Sequence, residues 1–298
     1  MGLKQKQDFM TVVKQQLTCS DFDAEHPVWI YLIDKLGLDR EQSLWFSLLY
    51  MAYYDEASAW HTFNNSDPFT VPKIAIHLPI GKNRRNLWGG RIVQHFASLA
   101  SERKKASDWP CHEFGGDRLS NWDALRKALK GVWGNGRFGV FTTAEMLHKV
   151  NGLDVEVGGF DNQDSSGPAD GIIRIYDCSS DVPTLDRFAE MTYQRVLRTG
   201  MKPKYSIMDR GVVESILCNY SGICRGVYYS GRNIDRQQVR IQTVESLVAT
   251  SLPDLWEARK AVFRPCDLGE LNGWKEIDKN RLKLYQLTGE LPWASEKR

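Results

Sequence analysis

From Glu41 to His61 the apolar residues Leu44, Trp45, Leu48, Leu49, Ala52, Tyr53, Ala57 and Trp60 recur at helical spacing over a broad face. A face that wide has to be covered, and the segment is long enough for a buried helix, so other helices must pack around it. The rest of the chain supplies them. Phe9, Val12, Val13 and Leu17 keep the same spacing, and Pro27 suits the first turn of a second helix that reaches Leu36. The pattern predicts further helices over 92–100, 121–132, 184–199, 209–220, 234–250, 253–263 and 278–287. Another carries Met146, Leu147 and Val150, with Thr142 or Thr143 expected as its cap. Residues 151–170, with Asp154, Glu156, Asp161, Asp164 and Asp170 among glycines, read as a long acidic loop. Residues 172–176 and 226–229 are β-prone, too few to build a sheet-centred fold. The expectation is a mainly α protein with few short strands. It forms a single domain over 1–298, either as one body or as two interleaved helical lobes with a central cleft.

Composition narrows the class of protein. The six cysteines, at 19, 111, 178, 218, 224 and 266, form no C-x-x-C pair and no zinc-spaced cluster with histidine, so no metal is expected. The N-terminus is Lys/Gln-rich and soon helical, unlike a secretory signal, and no apolar run is long enough to span a bilayer. These features suggest a reduced, soluble, cytoplasmic protein without a membrane partner. A net charge of +2 does not announce nucleic acid, but the positive charge gathers at 82–105, 118–137 and 195–210, and a local patch matters more than a total. Ten tryptophans, mostly core material, also suit a protein that grips bases.

Four segments hold the chemistry. Residues 80–91 concentrate Lys82, Arg84, Arg85 and Arg91 among glycines, just before the helical pattern that begins near Ile92. Guanidinium forks bind phosphate oxygens two at a time, and free N–H groups at a helix entrance point at an anion. The loop is therefore a phosphate site or a solvated basic surface. Residues 133–144 place a glycine turn with Asn135 and Arg137 between two helices. Helix-hairpin-helix proteins offer N–H groups to DNA from such a turn. The proline of that pattern is missing here and an ordinary helix connection is the simpler reading, although Arg137 is placed to meet a phosphate. Within the acidic loop, Asp161 and Asp170 have flanking glycines that permit close approach, which suits a general base or an amine-binding carboxylate. Glu214 and Cys218 share one helix face. Cys218 has no neighbouring histidine to activate it and reads as a small apolar filler. Glu214 needs a partner such as Arg225, Arg232 or Arg236, as a structural ion pair or as a carboxylate held for proton transfer.

Three motifs carry a family resemblance. Leu-Pro-Ile-Gly-x-x-Arg-Arg at 78–85, Glu-x-x-Leu-Cys-x-Tyr at 214–220 and Gly-x-Tyr-Tyr-x-Gly-x-x-Ile-Asp at 226–235 resemble the alpha-glutamyl/putrescinyl thymine pyrophosphorylases. These bacteriophage enzymes are also described as amino acid:DNA transferases, and the order of segments is similar over most of the chain. The resemblance implies a helical DNA-glycosylase-like fold and a host-cytoplasmic setting. The implied substrate is DNA whose thymine-like base carries a diphosphate on its 5-methylene, from which an amino acid or putrescine displaces the diphosphate. Lys82, Arg84, Arg85 and Arg91 would then stabilise the departing diphosphate. Glu214, ahead of Asp161 and Asp170, would deprotonate the amine. Tyr220, Tyr229 and Cys218 would line the extruded base, and Arg137, Arg232 and Arg236 would hold DNA backbone. No cofactor is implied beyond a Mg²⁺ ion that could accompany the diphosphate. The rivals are a helix-hairpin-helix DNA glycosylase and a non-catalytic DNA-binding protein. Sequence leaves the amine and the oligomeric state open.

Overall fold

The computed structural model describes residues 8–68, 70–102, 114–160, 162, 166–263 and 274–292. Among them there is no strand. In chain order the helices are α1 (Phe9–Cys19), α2 (Glu25–Leu36), α3 (Arg40–Tyr53), α4 (Glu56–Asn65), α5 (Arg91–Glu102), α6 (Arg118–Gly131) and α7 (Arg137–Lys149). They continue with α8 (Ser166–Tyr176), α9 (Val182–Arg198), α10 (Arg210–Cys224), α11 (Arg232–Val248), α12 (Pro253–Val262) and α13 (Trp274–Thr288). The chain divides into two compact units. One comprises Met1–Ala24, Gly159–Val239 and Phe263–Arg298, the other Glu25–Gly158 and Arg240–Val262.

The first unit closes around α8 and α10. Val12, Val13, Ile172, Val212, Val213, Ile216 and Leu217 are fully buried in its core. The two helices approach closely because Gly167 and Gly171 lie one turn apart on α8. A Cβ at Gly171 would stand 2.4 Å from the Leu217 carbonyl oxygen, and one at Gly167 would stand 2.5 Å from Cys218 Sγ. Residues 172–176 are therefore helical despite their β-prone side chains, since packing outweighs local preference. The expected acidic loop is shorter than its composition suggests, giving way to α8 at Ser166.

The start of α11 is held by a residue far away in sequence. Asp21 accepts from the backbone N–H of Asn233 (2.8 Å) and Ile234 (3.3 Å), supplying the carboxylate cap that α11 lacks locally. Its other oxygen accepts from Tyr228 OH (2.6 Å) and Gln16 Nε2 (3.1 Å). One turn into α11, Asp235 accepts from Tyr229 OH (2.5 Å) and pairs with Arg281 (2.7 Å), all buried. Burial pushes the Asp235 carboxyl up to about 6, against the lowering effect of Arg281 and Tyr229. A raised carboxyl pKa favours the folded state at low pH, and that contribution fades as pH rises from the unfolded value, 3.8, through about 6. The stability of the natural protein relative to Asp235→Asn should accordingly fall between pH 4 and pH 7. Urea unfolding of both proteins across that range checks it, and a pH-independent difference would count against it.

The second unit is built on aromatic packing. Trp29 meets Phe46 with ring centroids 4.0 Å apart, Phe46 meets Trp60 at 5.2 Å, and Trp122 meets Phe141 at 5.6 Å. Edge-to-face contacts of this kind add to the large apolar area that each ring buries. The expected 41–61 helix is divided. Tyr54 takes the left-handed conformation with φ 49°, and Asp55 restarts the chain as the cap of α4 by accepting from Ser58 N–H at 3.0 Å. Thr142 and Thr143 do not cap α7, which begins at Arg137. Both hydroxyls bond instead to carbonyls one turn back, at Phe138 and Gly139.

Candidate functional site

The basic loop is fixed at its entrance by backbone contacts. Gly81 N–H donates to the Tyr53 carbonyl at 2.8 Å, and Ser58 Oγ donates to the Pro79 carbonyl at 2.9 Å. A Cβ at position 81 would lie 2.4 Å from the Tyr54 carbonyl oxygen, so only glycine fits against the end of α3. Lys82–Leu87 then makes a short 3₁₀ segment. Its cations part ways: Lys82, Arg85 and Arg91 are exposed, whereas Arg84 turns inward and is 1% exposed.

Arg84 meets the glycine turn that precedes α7. Its Nη2 donates to Asn135 Oδ1 at 2.9 Å, and Asn86 Nδ2 donates to the Gly134 carbonyl at 2.7 Å, pinning the two segments side by side. The guanidinium lies so close to α7 that a Cβ on Gly139 would fall 2.0 Å from Nη1. His95, buried on α5, completes the wall. Its Nδ1 lies 2.7 Å from the Trp133 carbonyl, which can only accept, so Nδ1 carries the proton and Nε2 presents a lone pair to Arg84 at 3.5 Å. Burial and the Arg84 charge beside it outweigh the raising effect of the carbonyl bond and leave the imidazole neutral, its pKa lowered to about 3.

The electrostatics of this pocket are unbalanced. Arg84 is lowered to about 10 by burial alone and stays charged at neutral pH. Its Nε has no hydrogen-bond partner, and it pairs with no carboxylate among the described residues. The guanidinium sits against the first turn of α7, where Gly136 supplies no side-chain cap. A helix N-terminus carries unpaired N–H groups and partial positive charge, so the buried guanidinium meets a second positive feature, and it has no carboxylate partner among the described residues. Nor does the surrounding sequence contain one. Residues 68–101 hold Lys73, Lys82, Arg84, Arg85 and Arg91 with no Asp or Glu, and residues 124–144 hold Arg126, Lys127, Lys130 and Arg137 with none. An anion is the natural complement to such a cluster of positive charge.

The first unit holds most of the other residues singled out from sequence. Glu214 is half-buried on α10, with Ser215 Oγ 3.5 Å from its Oε2. Cys218, one turn along, is an exposed residue and not the apolar filler expected from sequence; desolvation of its thiol where α8 packs at Gly167, with the Glu214 charge nearby, pushes it up to about 12, which leaves it protonated and poorly nucleophilic. Asp170 accepts from Arg174 Nε at 2.7 Å and from Ser221 Oγ at 2.5 Å. Burial raises its pKa, but those hydrogen bonds and the charges of Arg174 and Arg225 outweigh it and the net shift is downward. Gly171 beside it receives the α10 backbone, as described above. Tyr220 packs edge-on against Phe9 at 5.2 Å. Tyr229 is fully buried and bound to Asp235, and Arg232 is forked onto Asp278 at 2.7 and 2.6 Å. Arg236 is half-buried on α11. Asp161 lies outside the described residues. Among the described residues no three of His, Cys, Asp and Glu converge to hold a metal ion, and no helix is long and apolar enough to cross a membrane.

The sequence profile of the amino acid:DNA transferases matches residues 17–227, more than two thirds of the chain. The protein belongs to the amino acid:DNA transferase family. No curated protein matches it. Membership makes the chain a transferase acting on DNA. The matched region of this amino acid:DNA transferase contains the whole Arg84 pocket together with Glu214, Cys218, Tyr220 and Asp170, and stops short of Tyr229, Arg232 and Arg236. Sequence reasoning missed His95 and Asn135 as pocket walls, and missed the part played by Gly139. The absence of acidic residues on both sides of Arg84 was the available signal.

Gly139 offers a direct test of the pocket. In Gly139→Ala the added methyl can be housed only by moving the guanidinium, the far end of a flexible side chain, and α7 itself tolerates alanine better than glycine. The expected outcome is a protein that melts within a few degrees of the natural one but carries out its transfer to DNA at least tenfold more slowly.

Proposed function

We propose that this transferase displaces diphosphate from a 5-diphosphomethyl-uracil base in DNA with the amine of an amino acid or polyamine. The observation that carries this reading is Arg84, a buried guanidinium at an uncapped helix N-terminus with no carboxylate partner among the described residues. In the proposed reaction the amine nitrogen attacks the 5-methylene carbon and a C–N bond forms. The C–O bond to the diphosphate breaks, and the diphosphate departs with the electron pair. Arg84, the α7 N-terminus and the exposed Lys82, Arg85 and Arg91 take up that charge as it develops, where preorganised donors have their greatest effect. The ammonium proton passes to a carboxylate. Glu214 is placed ahead of Asp170, whose Oδ2 already accepts from both Arg174 and Ser221. The reacting base leaves the stack so that its 5-methylene carbon can be reached.

DNA carrying 5-diphosphomethyl-uracil, incubated with the protein and a panel of amino acids and polyamines, is expected to release diphosphate and gain the mass of one amine. Folded, DNA-bound protein that yields no product across the panel would sink the reading. Abasic sites in place of amine adducts would identify a DNA glycosylase. Glu214→Gln is expected to slow transfer by about a hundredfold, in the range general-base loss commonly gives, with an unchanged melting curve. Unfolding of that variant would assign Glu214 to structure.

A further inference from the structure

Two tryptophans on the second unit stand in solvent. Trp29, Trp45, Trp60 and Trp122 are fully buried, but Trp88 is 49% exposed and Trp133 is 43% exposed. Both belong to the segments that build the Arg84 pocket. Trp88 immediately follows the Lys82–Leu87 segment, and its indole N–H donates to the Ile80 carbonyl at 3.1 Å, which fixes the plane of the ring. Trp133 is held by its backbone, with its N–H on Ser98 Oγ at 2.9 Å and its carbonyl on His95 Nδ1 at 2.7 Å. Its indole makes no hydrogen bond or ring contact among the described residues. The Asn86 to Gly134 hydrogen bond ties the two stretches of chain together. Gly134, at φ +84°, lets the turn close against Leu87, since a Cβ there would lie 2.6 Å from that side chain.

Isolated surface apolar residues are ordinary, but two large half-exposed rings on adjoining stretches of chain are costly to leave in water. The cations around them define what fits. The two segments carry nine Lys and Arg residues and no carboxylate, which excludes an acidic-patch-bearing face of this same region as the complement and matches a polyanion. A polyanion that also offers flat apolar faces is a nucleic acid whose bases are unstacked, because every base presents a π-face and backbone phosphates reach the flanking cations.

We infer that Trp88 and Trp133 form a stacking platform for unpaired nucleotides of the DNA substrate beside the Arg84 pocket. The platform grips bases next to the reacting one, while Arg137, exposed at the start of α7, meets the strand's phosphates. It deepens the proposed reaction and rests on it for the DNA substrate, but not for the diphosphate leaving group.

The test uses the full chain and an unmodified, labelled oligodeoxythymidine, with binding followed by anisotropy over a range of salt concentrations. The double variant Trp88→Ala/Trp133→Ala is expected to bind the single strand at least tenfold more weakly, with an unchanged salt slope because no phosphate contact is lost. Trp88→Phe/Trp133→Phe, which keeps the stacking faces, should bind within about threefold of the natural protein. Affinity for an intact duplex, whose bases are already stacked, should fall less than affinity for the single strand. Single-strand binding by the alanine variant within twofold of the natural protein overturns the inference, as does an equal loss in the phenylalanine variant or on duplex DNA. Melting curves of each variant show whether the fold is intact, and a variant that fails to melt cooperatively is replaced by the single substitutions. The probe contains no diphosphate, so loss of binding with no amine transfer on modified DNA would remove the proposed reaction and leave the platform standing.

Discussion

Replacing Arg84 with methionine is expected to lower amine transfer by a factor of about 10² to 10³ while leaving the melting temperature unchanged or raised. The first half follows from transition-state electrostatics. Removing one preorganised donor from a developing oxyanion commonly costs about 3–4 kcal/mol of barrier. Arg84 presents a full charge at a site that is 1% exposed. The second half follows from burial. A guanidinium withdrawn from water without a carboxylate is a liability to the folded chain, and its exchange for an apolar side chain of similar reach removes that desolvation cost. Asn135 would lose one donor but keeps its own Nδ2 bond to the Leu129 carbonyl at 3.1 Å. Thermal melts with inorganic diphosphate separate the two effects. The natural protein should gain stability with rising ligand concentration, and the Arg84→Met protein should gain little. A variant that loses both activity and fold would show instead that Arg84 is a structural residue.

The largest stability effect is expected at Asp21. Four donors converge on its two oxygens: Gln16 Nε2, Tyr228 OH, and the N–H groups of Asn233 and Ile234. Three of the four bonds are fully buried, and each orphaned buried donor costs roughly 1–3 kcal/mol. Asp21→Ala should therefore cost on the order of 5 kcal/mol, a sum comparable with the whole stability of an ordinary domain. Asp21→Asn should not rescue it, because the new amide would point donors at donors. Amide exchange would place the damage, with protection lost first at the start of α11. Asparagine restoring full protection would show that shape rather than charge and acceptor capacity matters there.

How much could be read from the chain depended on the range of the determining contact. Helical periodicity located α1, α2, α5 and α9 because their buried faces are encoded within each segment. The break in the 41–61 helix was written locally too, as Asp55 with Ser58 three residues on, but the continuous apolar pattern masked it. The glycines around Asp170 did signal close approach, yet the partner is the backbone of α10, which no local pattern names. The same limit applied to Arg84. Its composition marked an anion-binding loop, while its isolation from its three basic neighbours comes from Gly139, 55 positions away, and from His95 and Asn135.

The two acid-free segments have a consequence for the molecule as a colloid. The chain carries a formal net charge of +2, and nine of its positive charges lie in those segments, so the remaining residues sum to −7. A nearly neutral protein thus carries a local concentration of positive charge. It should be retained on a cation exchanger well above the salt strength that its net charge suggests. In dilute buffer without DNA, molecules should attract one another head to tail, a tendency that modest salt or a short oligonucleotide dissolves.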